Sequence, residues 1–188
     1  MSTLLSSLKQ KQTIQKLFLC FMMYAVLGWC YEVVLETFIY KWGFSNRGVL
    51  FGPYCPVYGV GALTFQLLFG RLKKKKVSPM WEIVKVVVIF LGCMAAATLI
   101  ELAASYILEA ATGTWPWTTY ADYKYNYQAR IALSTSLRFG LGGVIFMYLV
   151  QPLFDWMLSK PSRKALNCIA LTAALIVAAD CIYTFILK

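Results

Sequence analysis

The sequence predicts an all-α, polytopic membrane helix bundle with about five transmembrane helices, the second of which starts at a stretch broken by glycine and proline. Three observations predict it. Of the 188 residues, 60% are hydrophobic, more than a soluble domain of this length needs to bury. The apolar residues are gathered into long runs, matched to a hydrocarbon core roughly 30 Å thick. Lysines cluster between those runs, as expected of short cytoplasmic loops facing anionic lipid. The backbone should be helical, since lipid offers no partner to open strand edges.

The elements follow in chain order. Residues 1–16 are polar and basic and are expected to form a cytoplasmic N-terminal segment, with 17–188 as a single transmembrane domain. The run Leu17–Tyr40 carries Glu32 and Glu36 and has no obvious A-x-A cleavage site. It is therefore expected to stay as an anchor rather than leave as a signal peptide. The second run, Tyr54–Phe69, is short for a span. Ile83–Leu108, Ile131–Phe154 and Leu166–Leu187 complete the set, each long enough at 1.5 Å per residue to cross the bilayer.

Charge sets the orientation. Lys9, Lys11, Lys16, Arg71, Lys73 to Lys76, Lys160, Arg163 and Lys164 share one side if every run crosses once. Only Lys41, Arg47, Lys124, Arg130 and Lys188 take the other. The positive-inside rule then places the N-terminus in the cytoplasm and the C-terminus outside a plasma membrane.

Composition also excludes. There is no histidine, which removes Ser-His triads, imidazole bases and most zinc sites. The six cysteines form no C-x-x-C pair and sit mostly in apolar runs, so they read as small buried residues. No cofactor, metal site or catalytic residue is expected. Nucleic acid is a poor partner, because the basic runs are short and flank spans.

Five charges fall where a membrane disfavours them: Glu32, Glu36, Glu101, Arg138 and Asp180. Each costs roughly 2.5–3.5 kcal/mol at a helix centre on insertion scales, so five unpaired would cost on the order of 12–17 kcal/mol. They should face inward and pair, or line a wet cavity. With the N-terminus inside, all lie in the outer half of the membrane, level with Arg47 and Arg130 at the outer span ends. Small residues recur beside them at four-residue spacing, as in Ala97, Glu101 and Ser105, or Ser134, Arg138 and Gly142. Such stripes allow close helix approach. The charges are either an outward-facing polar pocket or an ion-pair network without a ligand.

The stretch "FSNRGVLFGPYCPVYGVG", Phe44–Gly61, belongs to the same level. Gly48 and Gly52 open backbone geometries closed to other residues. Pro53 and Pro56 lack N–H groups and bias their neighbours away from helix. Non-helical backbone at membrane depth is tolerated where it is buried in protein or lines a cavity. Arg47 offers a planar cation suited to carboxylate or phosphate, with Asn46 and Tyr58 as further hydrogen-bonding groups. The outer loop "TGTWPWTTYADYKYNYQAR", Thr112–Arg130, is rich in tryptophan and tyrosine. It suits an interfacial aromatic belt, or a cap whose rings could meet a cationic headgroup. Asn126 and Arg130 close it. The candidate ligand-binding residues are therefore Glu32, Asn46, Arg47, Tyr58, Glu101, Asn126, Arg130, Arg138 and Asp180.

"NRGVLFGPYCPVYGVGAL", with "LGWCYE" upstream, "TLIELAASYILE" downstream and a loop ending "YNYQAR", resembles the bacterial family of putative ABC-transporter type IV, permease-like membrane proteins. It is also similar to a group of animal transmembrane proteins. The likeness runs from about Leu17 to Gln151. The loop departs from the family's W-D-Y-S and N-x-x-G-R, having Trp117-Thr118-Thr119-Tyr120 and Asn126-Tyr127-Gln128-Ala129-Arg130 instead.

The resemblance implies a transport component, permease-like or substrate-binding, whose substrate is a small solute or a lipid headgroup. The chain has no phosphate-binding loop of its own, so energy would come from an ATPase or another transporter subunit. Two alternatives stand beside it. One is an intramembrane lipid-modifying enzyme resting on carboxylates and arginines, for which no motif speaks. The other is a structural or regulatory membrane protein with no ligand.

Overall fold

In the computed structural model, residues 2–115 and 117–187 are described, with side chains from residue 12 onward. Lys188 and the side chains of Lys9 and Lys11 lie outside the described residues. The chain is an all-α membrane helix bundle. Among the described residues, four helical stretches are long and apolar enough to cross a membrane: Gln12–Ile39, Pro79–Thr112, Leu133–Ser159 and Arg163–Leu187. They match the first, third, fourth and fifth expected spans. The second expected span also forms a helix, but a shorter one, Pro56–Lys74, ending in a basic turn.

The helices run as follows. α1 spans Ser2–Val34 and continues as a π-helical turn, Leu35–Ile39. Residues 40–55 then run without regular structure. Lys41, Gly43 and Gly48 all have positive φ. α2 begins at Pro56, where the missing N–H of proline costs nothing because the first helical donors are unpaired anyway. α3, Pro79–Thr112, also opens on proline and closes at Gly113 in the left-handed conformation. A 3₁₀ turn, Thr118–Asp122, leads to a small antiparallel hairpin. Its strands are β1 (Asn126–Tyr127) and β2 (Ile131–Ala132), with Asn126 opposite Ala132. α4 (Leu133–Ile145) passes through a π-helical turn, Phe146–Val150, into α5 (Gln151–Ser159). α6, Arg163–Ile182, starts at Ser162, whose hydroxyl accepts the Ala165 N–H at 3.3 Å. It ends in a π-helical turn, Tyr183–Leu187.

The chain divides into two compact units. One combines residues 1–63 with 153–188 and the other is 64–152. In the first, Ala25, Leu50 and Tyr54 form a buried core with Met22, Val177 and Cys181 around it. The irregular segment therefore contributes core residues of its own. In the second, Phe65, Ile89, Cys93 and Met147 are the core. There α3 and α4 are tied by a 2.7 Å hydrogen bond from Thr98 Oγ1 to Ser136 Oγ. Large apolar side chains such as Leu67, Leu99, Leu149 and Leu171 are exposed on the helices, where lipid rather than water is their natural solvent.

Candidate functional site

In the first unit the irregular segment is fixed at both ends by side chains. Trp29 Nε1 donates to Asn46 Oδ1 at 2.7 Å, and Asn46 Nδ2 donates to the Phe51 carbonyl at 2.7 Å. Asn46 thus closes a loop of six residues. Gly48 sits inside it at φ +100°, a conformation costly for any residue with a Cβ. The Cys55 N–H reaches back to the Ala25 carbonyl of α1 at 2.9 Å. Outside regular structure, the backbone donors of Phe51 and Gly52 have no helical partner, and Asp180 of α6 takes them.

Asp180 is the hub of that arrangement. Its carboxylate accepts the Phe51 N–H at 3.0 Å and the Gly52 N–H at 2.7 Å. It also accepts the Tyr54 hydroxyl, and the Thr184 hydroxyl at 3.0 Å. Two consecutive amides aimed at one anion form a backbone nest. A shallow cavity of about 300 Å³ opens here, lined by Phe51, Tyr54, Asp180 and Tyr183 among others. Among the described residues, no lysine or arginine pairs with Asp180.

Two further acids lie on α1 and its π-helical end. Glu32 accepts the hydroxyl of Tyr58. Gly28, one turn earlier, lets the Tyr58 ring lie where any Cβ would stand. Glu36 is 4% exposed. It pairs with Arg47 and accepts the Ser45 hydroxyl at 2.6 Å. Three carboxylates, Glu32, Glu36 and Asp180, therefore surround the irregular segment, with Arg47 paired to one of them. Lys41 is exposed and pairs with none of them.

The second unit holds a differently built cluster. Arg130, 7% exposed, lies between two aromatic faces, 4.1 Å from the Tyr106 ring centre and 4.0 Å from that of Trp115. Its guanidinium pairs with Glu109 and donates to Ser105 Oγ at 3.3 Å. Trp115 and Trp117 donate to the carbonyls of Ala129 and Arg130 at 3.1 and 2.8 Å. Glu101 accepts the Tyr120 hydroxyl at 2.9 Å. Asn126 shapes the hairpin, donating to the Tyr123 carbonyl at 2.7 Å and accepting the Ala129 N–H at 3.0 Å. Gln128 and Ala129 there have positive φ.

Of the nine residues singled out from the sequence, Glu32, Asn46, Arg47, Tyr58 and Asp180 fall in the first unit, around the irregular segment. Glu101, Asn126 and Arg130 gather around the hairpin of the second. Arg138 lies on α4 with an exposed side chain. The structure adds Glu36, Tyr54, Tyr106, Glu109 and Trp115 to the two clusters. Glu109 had a signal in the sequence. Glu101, Ser105 and Glu109 continue one four-residue stripe along α3.

A family model described as putative ABC-transporter type IV matches residues 19–185. The chain belongs to that family. No curated protein and no solved structure matches it. The match covers both clusters and most of the long apolar helices, so the chain is an ABC-transporter-related, multi-pass membrane protein. The bilayer is its environment.

Proposed function

We propose that this ABC-transporter type IV chain is the membrane component of a transport system, a permease-like or substrate-binding subunit. Its polar pocket faces outward and takes a small solute bearing a positively charged nitrogen. The observation that carries this is the setting of Asp180, an acid in a cavity walled by Phe51, Tyr54 and Tyr183 with no basic partner among the described residues. Aromatic faces attract cations, most strongly where water is excluded. The surplus of carboxylates adds to that attraction, in a chain whose formal charge is +10. The pocket is taken to open outside the plasma membrane, with the N-terminus in the cytoplasm, on the positive-inside bias of the lysines. Glu32, Asn46, Arg47 and Tyr58 hold the segment that carries Phe51 and Tyr54 to the pocket, while Glu101, Asn126 and Arg130 set the outer aromatic loop. A separate ATPase would supply the energy.

A structural role without a ligand is the competing reading. It is favoured by the two backbone amides that Asp180 already holds. The two readings part in one experiment. The chain is purified in native nanodiscs, and what travels with it is identified by mass spectrometry. A cationic solute or a co-purifying ATPase supports transport. An empty protein whose Asp180→Asn variant loses only thermal stability supports the structural reading.

A further inference from the structure

The turn between α2 and α3 carries a second feature that the outer site does not use. Its lysines divide into two kinds. Lys85 of α3 is 6% exposed. Its ammonium donates to the carbonyls of Lys73 and Lys75 at 3.3 and 2.9 Å, and to Glu82 at 2.8 Å. Three donors meet three acceptors, so Lys85 is spent on holding the end of α2. Lys73 turns inward as well, donating to the Met147 carbonyl with its ammonium 5.4 Å from the Tyr148 ring centre. Lys74, Lys75 and Lys76 remain exposed. Glu82 at the start of α3 is paired with Lys85.

Beside this turn lies a cavity of about 380 Å³. Leu72, Val77, Trp81, Val84 and Val88 make its walls, and Lys75 stands among them. Trp81, Val84 and Val88 lie on one face of the first turns of α3. α3 has 34 residues, about 51 Å at 1.5 Å per residue, so it outruns a hydrocarbon core of roughly 30 Å. Preceded by Lys73 to Lys76, its first turns are the end assigned to the headgroup level. Trp81 is 62% exposed there, as interfacial tryptophans are.

We propose that this cavity is a binding site for one anionic phospholipid. An acyl chain lies along the valine and leucine wall, and the phosphate is held by Lys75. The apolar wall matches a hydrocarbon chain. The freed ammonium matches a phosphate, and neighbouring Lys74 and Lys76 deepen the positive field. The site is distinct from a diffuse polybasic attraction, because the wall as well as the charge selects the ligand.

The test compares variants in nanodiscs of phosphatidylglycerol and phosphatidylcholine, scoring retained lipid by native mass spectrometry. The wild type is expected to keep one phosphatidylglycerol through delipidation and to be more heat-stable in it than in phosphatidylcholine. Val84→Trp fills the cavity without changing charge and should cut retention at least fivefold. Lys75→Glu should do the same, while Lys76→Glu, the same charge change outside the cavity, should cost less than twofold. Equal losses from Lys75→Glu and Lys76→Glu, or full retention in Val84→Trp, would overturn the proposal. Lys75 and Lys76 are exposed, so that pair decides the matter if Val84→Trp does not fold.

Discussion

Arg130 and Arg47 stand near the ends of apolar helices, and they are housed in opposite ways. Arg130 is caged. Two rings cover its faces, Ser105 and Glu109 each meet one of its two Nη groups, and two tryptophans bond the carbonyls beside it. Every partner comes from residues 105–130, within reach of one helix end and one loop. Arg47 is open. Its side chain is 31% exposed, and it meets a single acid, Glu36, whose own side chain is 5% exposed. Around it, the segment is anchored by Asp180, well over a hundred residues further along the chain. The cage is a locking device made from local sequence. The open cluster is assembled from distant parts and keeps carboxylates without a cation among the described residues, as a recognition site for a cation would.

The comparison predicts a graded series of variants, read by thermal unfolding in nanodiscs. Arg130→Ala should be the most damaging. It leaves Glu109 unpaired, voids the space between two rings and loosens the hairpin. The Glu109 side chain is 40% exposed, so most of the loss comes from the emptied space between the rings, about 2–5 kcal/mol. Arg130→Lys should recover little of this, since an ammonium cannot fill the planar gap between the rings. Arg47→Ala should cost less, about 1–3 kcal/mol, because water reaches that arginine and the Ser45 hydroxyl still serves Glu36. If Arg47→Ala proves as costly as Arg130→Ala, the contrast between cage and open site fails.

Gly48→Ala comes next, at about 1–2 kcal/mol for a Cβ held at φ +100°. It should also weaken solute binding, because the loop closed by Asn46 presents the Phe51 and Gly52 amides to Asp180. A stability loss with unchanged binding would detach the loop from the site.

Much of this was legible in the sequence, for identifiable reasons. The long helices follow from apolar runs bounded by lysines. Proline at Pro56 and Pro79 and glycine at Gly113 mark real helix ends. Membrane depth and charge alone put Glu32, Asn46, Arg47, Tyr58 and Asp180 on one level with Glu101, Asn126 and Arg130, and could not tell which residues fall in which unit. Nor could they give the pairing. Glu32 on α1 and Glu36 on its π-helical end are about one turn apart, yet Tyr58 goes to the first and Arg47 to the second. That choice depends on how an irregular segment folds back. The bonds that Asp180 accepts from two backbone amides leave no trace in residue types, because any residue but proline carries an amide N–H. Glu109 was in plain view as one more step of the α3 stripe. The small hairpin and the π-helical turns have no strong signal, since Gln128 and Ala129 are unusual residues for positive φ.

The central claim is that the Asp180 pocket recognises positive charge. The direct measurement is equilibrium binding of choline, beside its uncharged carbon isostere, to the purified protein in nanodiscs and to its Asp180→Asn and Tyr54→Phe variants. The account predicts saturable choline binding, at least tenfold weaker for the isostere and at least tenfold weaker in Asp180→Asn, a difference of about 1.4 kcal/mol. Equal binding of choline and its isostere, or choline binding unchanged in a folded Asp180→Asn protein, would contradict it.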